Sequence, residues 1–376
     1  MKVVILAGGA GKRLENLLAG RPKSLINVLG KPLIYYTLIS LSKLGLWDIV
    51  LVTDKPSYFE EVPAGIPPTL DVKIVRQERP EVEGALLSAE DYVKGEDRFL
   101  MLYGSVITDY EAYRSVIDAS KYFKYNALAV PEADLTGLET LEIDINNYIT
   151  KFSTEPRGYA FGGMAVMPPK VMELLKSGYS LTESLTEISK EFKVRAVIFD
   201  GWWIDIKVPW DVLRASYYLL NNLTESRISS KAKISPHTII EGPVIIEDGA
   251  EIDHGVVIKG PAYIGRNVFV GLNSIVRNYS DLEKDVMIGS LNEITWSLIM
   301  DRAFVSRNCF ISFSVVGYDA VLEPNVITLS VIRERGKVER PLKVSSRGRE
   351  YVKLGAIISS KRRVKAGTIL TPAQVI

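Results

Sequence analysis

The sequence predicts an α/β chain in two parts, a mainly parallel sheet covered by helices and then a parallel β-helix of hexapeptide repeats. From Met1 to about Leu223, short Val/Ile/Leu runs alternate with amphipathic helical stretches, the pattern of a sheet buried on both faces. Beyond Ile234 the helical signal stops and an aliphatic residue returns at every sixth position: Ile234, Ile240, Ile246, Ile252, Ile258, Ile264, Val270, Val276, Leu282, Ile288 and Ile294. The third observation is the opening itself, where the apolar run Val3-Val4-Ile5 leads straight into LAGGAGKRL.

Taken in order, the first element is a strand ending in a glycine-rich turn. Gly8, Gly9 and Gly11 can lay bare backbone N–H groups against an anion, and Arg13 and Lys23 can supply positive charge around it. The reading is a polyphosphate cradle. Its spacing matches neither G-x-G-x-x-G nor G-x-x-x-x-G-K-[ST], which disfavours the dinucleotide and Walker folds. Ile49 to Thr53, Val72 to Val75, Phe99 to Leu102 and Ala127 to Val130 read as buried strands. In WWIDIKVPWDVLRASYYLLNNL, Trp202 to Leu223, Pro209 suits the first turn of a helix that runs to about Asn222. The expected domains are therefore 1–225 and 226–376.

Within the second part, Gly242, Gly249, Gly255, Gly260, Gly265, Asn267, Gly271 and Asn273 fall between the aliphatic positions, as the corners of a three-sided coil require. Strands of a sandwich would keep period two, and these residues do not. The register slips by one at Ile299 and resumes through Val305 and Ile311. A Lys/Arg-rich stretch, Arg333 to Lys353, is expected to bulge from the coil, as a solvated loop or a subunit-spanning arm. KLGAIISSKRRVKAGTIL then supplies a last coil.

Composition excludes several classes. The 46 basic and 45 acidic residues leave a net charge of +1, no footprint for nucleic acid or anionic lipid. No segment approaches the roughly 20 apolar residues that span a bilayer, and the run at Met1 to Ala7 is too short for a secretory signal. The single cysteine, Cys309, fits a reducing compartment, and a cytoplasmic location is expected. The two histidines, His237 and His254, lie too far from any Cys to suggest a zinc site.

The opening turn, with Pro22-Lys23 and Gly30-Lys31-Pro32-Leu33, resembles the signature of the sugar-1-phosphate nucleotidylyltransferases, roughly LAGG-x-G-T-R-L, then P-K, then G-K-P-L. The resemblance covers nearly the whole chain. A Rossmann-like nucleotidyltransferase domain before a left-handed β-helix is the plan of archaeal-type bifunctional nucleotidylyltransferase/acetyltransferases, of ADP-glucose pyrophosphorylases and of altered subunits of a translation initiation factor. It implies attack of a sugar 1-phosphate on the α-phosphate of an NTP, with pyrophosphate leaving and Mg²⁺ assisting. Carried over residue by residue, it implies Leu6, Ala7, Gly8, Gly9, Gly11, Arg13, Gln77 and Gly84 at the nucleotide, Arg13 and Lys23 as catalytic cations, Gly163 and Glu155 on the sugar-phosphate side, and Asp205 at the metal. It also implies an oligomer, a homotrimer or another assembly through the β-helix, with a paralogue as a further partner.

Several positions depart from the family pattern. In FLMLYGSVITD the first metal aspartate is replaced by Ser105, and Asp109 reaches inward only if its loop rearranges. Asp205, in Trp203-Ile204-Asp205-Ile206-Lys207-Val208-Pro209, keeps the second, or is a structural carboxylate near a helix start. Glu155 stands where the family lysine meets the sugar phosphate, Phe161 replaces an asparagine, Lys12 replaces a threonine, and Glu81-Val82-Glu83 replaces G-T-A near Gln77. Val208 removes a threonine helix cap. In VSRNCFISFSVVG, Arg307 and Phe310 fall where the acetyltransferases have a histidine base and a tyrosine. Arginine is no base at neutral pH, so acetyl transfer is not expected. Two function classes remain: a nucleotidylyltransferase with a modified site, or an impaired regulatory or scaffolding paralogue that binds nucleotide and assembles with an active homologue.

Overall fold

A computed structural model describes residues 1–9, 11–60, 67–332, 342–346 and 349–376. The chain forms two compact units, one of Met1–Ala10, Pro22–Leu25 and Leu33–Ile206, the other of Gly11–Arg21, Ile26–Pro32 and Lys207–Ile376.

The first unit is built on a nine-stranded sheet. Strand Val3–Leu6 lies at its centre, parallel to Asp48–Thr53 on one side and to Phe99–Tyr103 on the other, and Asp71–Arg76 extends the parallel part. Tyr159–Met167 then runs antiparallel to Phe99–Tyr103, Asn126–Val130 and Thr140–Ile143, so the sheet is mixed. Alternating side chains of one strand feed two cores. Val4, Val50, Val52 and Met101 pack with Leu86, Val171, Leu185 and Ile188 from helices Glu81–Ser88, Lys170–Lys176 and Leu181–Phe192. Val3, Ile5, Leu51 and Leu102 pack with Ile34, Leu38, Leu41 and Val116 from helices Leu33–Lys43 and Tyr110–Ala119. Burial on both faces is why these strands read as unbroken aliphatic runs.

The second unit is a left-handed parallel β-helix with three seven-stranded parallel sheets as its faces. The hexad residues fill one continuous core: Ile246, Ile252, Ile258, Ile264, Val270, Val276, Leu282, Ile288 and Ile294 are all buried, with Ile234 and Ile240 packed against its end. Corners are turned by single left-handed residues, among them Gly249, Gly255, Asn267 and Asn273. Gly265 and Gly271 serve differently: a Cβ on either would meet backbone of the next coil at 2.8 Å. Ile246 aligns with Ile264 and Leu282, then Leu282 with Ile299 and Ile299 with Val316, so from the slip at Ile299 two successive coils are one residue shorter. Leu342–Ser346 and Arg349–Lys353 form an antiparallel hairpin, while Val315 pairs directly with Ile357 in the next coil. The rest of the charged stretch, 333–341 and 347–348, lies outside the described residues.

The three faces differ outside. On the first, helix Pro209–Asn221 packs Leu220 against Ile245 and Tyr263. On the second, Phe269, Met287, Phe304 and Val321 stand in register, with Met287 and Phe304 exposed. On the third, Ile239, Val257 and Ile275 align, and Phe310, Ile327 and Ile369 continue the row beyond Glu293. Among the described residues no helix is long and apolar enough to cross a membrane.

Ile258 is buried in the solenoid core, whereas Ile239 points outward. Replacing Ile258 with alanine is expected to lower unfolding free energy by about 2–5 kcal/mol, and Ile239→Ala by about 0.5 kcal/mol or less, measured by denaturant titration.

Candidate functional site

Strand Val3–Leu6 ends under fixed hydrogen bonds: Ala7 N–H donates to the Val52 carbonyl at 2.8 Å and Gly104 N–H to the Leu6 carbonyl at 2.9 Å. Leu6 and Ala7 are both buried, so the turn must begin at Gly8. Gly9 then has φ +118°, a conformation that requires glycine. A Cβ on Gly8 would lie 1.9 Å from Gln77 Oε1, so the carboxamide of Gln77 rests directly on the turn. Gln77 Nε2 donates to the carbonyls of Arg79 at 2.7 Å and Glu81 at 2.8 Å. Its Oε1 is buried without a hydrogen-bond partner among the described residues, an acceptor facing Gly8.

Gly84 closes this loop, since a Cβ there would meet the Arg79 carbonyl at 2.2 Å. Glu81 adopts φ +67°, a left-handed conformation uncommon for a residue other than glycine.

Ser105 and Asp205 face each other. Strands Val106–Thr108 and Trp203–Asp205 pair antiparallel, and Ser105 Oγ donates to Asp205 Oδ1 at 2.8 Å with both residues buried. Lys23 belongs to the same unit, and its Nζ lies 3.5 Å from the carbonyl of Ile206, the residue after Asp205. Asp109 instead caps helix Tyr110–Ala119, accepting the Ala112 N–H at 3.3 Å, which corrects any role for it at the metal. The lost cap at Val208 is offset from the far side: the Asp211 carboxylate accepts the N–H groups of both Lys207 and Val208 at 2.9 Å.

Gly163 has φ +70°, where a Cβ would press on Val106 and on Tyr103 at 3.0 Å or less. Glu155 lies in an exposed turn, 4.0 Å from Arg157, and is not drawn into the Ser105–Asp205 pair. Arg13 is exposed on the short helix Lys12–Leu14, which belongs with Gly11 to the second unit. One half-buried pair left no mark in the sequence. Tyr103, at the end of strand Phe99–Tyr103, donates from its hydroxyl to Glu139 Oε2 at 2.7 Å. Burial first, and then the Glu139 charge, hold the phenol well above its usual range, so it stays a donor.

Mg²⁺ is the ion the resemblance implies. The protein supplies one ligand for it and not a closed site: the Asp205 carboxylate, one of whose oxygens already accepts a serine hydroxyl, is not joined by other acids, and no group of three His, Cys, Asp or Glu able to hold a metal occurs among the described residues.

Comparison with known proteins shows the family. The family described as nucleotidyl transferase matches residues 2–221. The chain is 29% identical to the bifunctional protein GlmU of Methanocaldococcus jannaschii, over 98% of this chain and 89% of that protein. It is 28% identical to a bifunctional sugar-1-phosphate nucleotidylyltransferase/acetyltransferase of Sulfurisphaera tokodaii, over 99% and 93%. Among solved structures, a putative glucose-1-phosphate thymidylyltransferase from Bacillus anthracis shares the fold, with TM-score 0.51 and 24% identity over 57% of this chain and 93% of that one.

Ser105→Asp restores a second carboxylate beside Asp205. Without metal the variant should melt below the wild type at neutral pH through like-charge repulsion, and millimolar Mg²⁺ should reverse this. Differential scanning fluorimetry with and without Mg²⁺ reads both.

Proposed function

Because the chain belongs to the nucleotidyl transferase family, we propose that it transfers a nucleotidyl group from an NTP to a sugar 1-phosphate and releases pyrophosphate, in sugar-nucleotide biosynthesis. The carrying observation is the contact between Gly8 and Gln77, which joins a bare-backbone turn to a side chain with an unpartnered acceptor. In this reading the N–H groups of the glycine turn receive the triphosphate. Gln77 Oε1 accepts from a base N–H, and Gly84 keeps its loop folded. Arg13 and Lys23 neutralise charge that builds on the phosphates as the sugar-phosphate oxygen attacks, a positioning and electrostatic role. Gly163, with its left-handed backbone, shapes the sugar side. Glu155 there repels an anion, so the sugar phosphate relies on the cations.

Nucleotidyl transferases work with a divalent metal, and Mg²⁺ is the one we propose. With one protein carboxylate, it would enter bound to the triphosphate, held by Asp205, and supply charge neutralisation. Acetyl transfer is not part of the proposal, since Arg307 and Phe310 occupy the acetyltransferase positions. We also propose a cytoplasmic location, modules 1–225 and 226–376, and self-association through the β-helix. The aligned apolar rows on its second and third faces support a second copy of this chain as occupant, in a homotrimer or other ring.

A second reading is favoured by one observation, the hydroxyl of Ser105 occupying Asp205. It makes the chain a nucleotide-binding paralogue that regulates or scaffolds an active homologue.

Pyrophosphate release across sugar phosphates and NTPs is expected to be detectable and to fall about 100-fold or more in Lys23→Ala. Silence across the panel, with nucleotide-induced stabilisation retained, selects the second reading. Met287→Glu with Phe304→Glu is expected to convert the wild-type oligomer to monomer in light scattering. A monomeric wild type contradicts self-association.

A further inference from the structure

The first face of the β-helix carries an acidic pair that the proposed reaction does not use. Asp281 and Glu283 have 0% exposure, and among the described residues neither has an ion-pair partner. Each holds one backbone N–H of the hairpin Asn27–Val28/Lys31–Pro32, which belongs to the same unit. Leu29 N–H donates to Asp281 Oδ2 at 3.1 Å and Gly30 N–H to Glu283 Oε1 at 3.0 Å. Leu29 and Gly30 are both left-handed, with φ 51° and 72°, which turns the two N–H groups toward the acids. Ser216 Oγ also donates to Asp281 Oδ2, at 3.1 Å. The other oxygens, Asp281 Oδ1 and Glu283 Oε2, have no partner among the described residues. Two ionised carboxylates cannot stay buried side by side with an oxygen each unsatisfied, whereas one proton between them satisfies both.

The hairpin is tied to the segment that bears Arg13. Tyr318 accepts the Asn27 N–H on its hydroxyl at 3.4 Å and carries the Arg21 guanidinium over its ring at 4.3 Å. Asn27 Nδ2 donates to Asp301 at 3.2 Å. Ser360 grips the same segment, donating from Oγ to the Leu17 carbonyl at 2.6 Å and from its N–H to that of Asn16 at 2.8 Å.

We propose that Asp281 and Glu283 hold one proton between them and in that state act as positioning residues, clamping the hairpin and with it the Arg13 segment on the β-helix. The positioning half rests on the reading of Arg13 as a triphosphate ligand. The clamp is then proton-linked: losing the proton leaves two charges in one buried site, loosens the hairpin and weakens nucleotide binding.

The surroundings support retention of the proton. Burial raises both carboxyls, Asp281 to about 7 and Glu283 well above its usual range, with Asp301 adding repulsion. The remaining charges are distributed about the pair. Arg21 and Arg302 are near Asp301, while Lys31, Glu247, Arg266 and Lys284 line an adjoining cavity of about 280 Å³ together with Gly30, Tyr263 and Glu283. Tyr318 stays protonated, raised by burial. The folded chain thus binds a proton that the unfolded chain releases above the ordinary carboxyl range. Stability is therefore greatest on the acid side and falls as pH rises through neutrality.

The test compares full-length wild type with Glu283→Gln, Glu283→Ala and Asn27→Ala from pH 6 to 9. It measures melting temperature and calorimetric affinity for UTP, CTP, dTTP, ATP and GTP. The wild-type melting temperature should fall by about 3–8 °C more across this range than that of Glu283→Gln, whose amide accepts from Gly30 and donates to Asp281 at every pH. Wild-type affinity should weaken in step, and that of Glu283→Gln should not vary with pH. Glu283→Ala and Asn27→Ala should bind about tenfold more weakly throughout; if Glu283→Ala fails to fold, Asn27→Ala, which releases Asp301 from the hairpin side, carries the test. An unchanged pH slope in Glu283→Gln overturns the shared proton. Unchanged affinity in Asn27→Ala overturns the clamp. If no NTP binds any of the proteins, the positioning role falls together with the proposed function, while the melting comparison still decides the proton.

Discussion

Strand Val3–Leu6 is hydrogen-bonded along both edges and buried on both faces, and the rest of the first unit follows from that constraint. A strand so enclosed cannot shift by one residue without turning Val4 and Leu6 into the opposite core. Its end is therefore fixed, and the chain must leave through Gly8 and Gly9. Whatever the turn presents to a ligand is positioned by a strand held along both edges and on both faces, an arrangement suited to holding a phosphate chain. Neighbouring strands add their ends at the same edge: Ala7 bonds to Val52, Gly104 to Leu6, and Ser105 follows at once.

What sits at that edge is unevenly charged. At the glycine turn there are bare amides and a carboxamide with a vacant acceptor. Beyond it, Ser105 donates into the Asp205 carboxylate, and Tyr103 donates into Glu139. In the proposed reading, a hydroxyl in place of a carboxylate removes a formal charge that a hard dication needs and leaves that role to the triphosphate. Charge neutralisation then rests more on basic side chains than on protein acids.

Much of this was legible in the sequence. The solenoid showed because every sixth residue meets the same core, so the period survives without any knowledge of contacts, and even the slip at Ile299 appears as a coil shortened by one. The glycine turn showed because close approach and positive φ leave a residue-type record. Ser105 opposite Asp205 could be read by aligning two motifs. Glu139 could not, since an acid in a loop carries no mark of the tyrosine it will meet. Asp281 and Glu283 were hidden for a related reason. Outward positions of a coil are ordinarily solvated, and nothing local announces that residues 26–32 will cover these two. Gly11 and Arg13 were legible as signature residues, yet their membership of the second unit depends on packing alone.

The central claim is that the turn beginning at Gly8 and the loop at Gln77 receive one nucleotide triphosphate together. Hydrogen–deuterium exchange with and without saturating NTP addresses it most directly, because the backbone amides themselves are the proposed ligands. Exchange should slow in peptides covering residues 7–14 and 77–84. Unchanged exchange in both, with protection elsewhere in the chain, would contradict it.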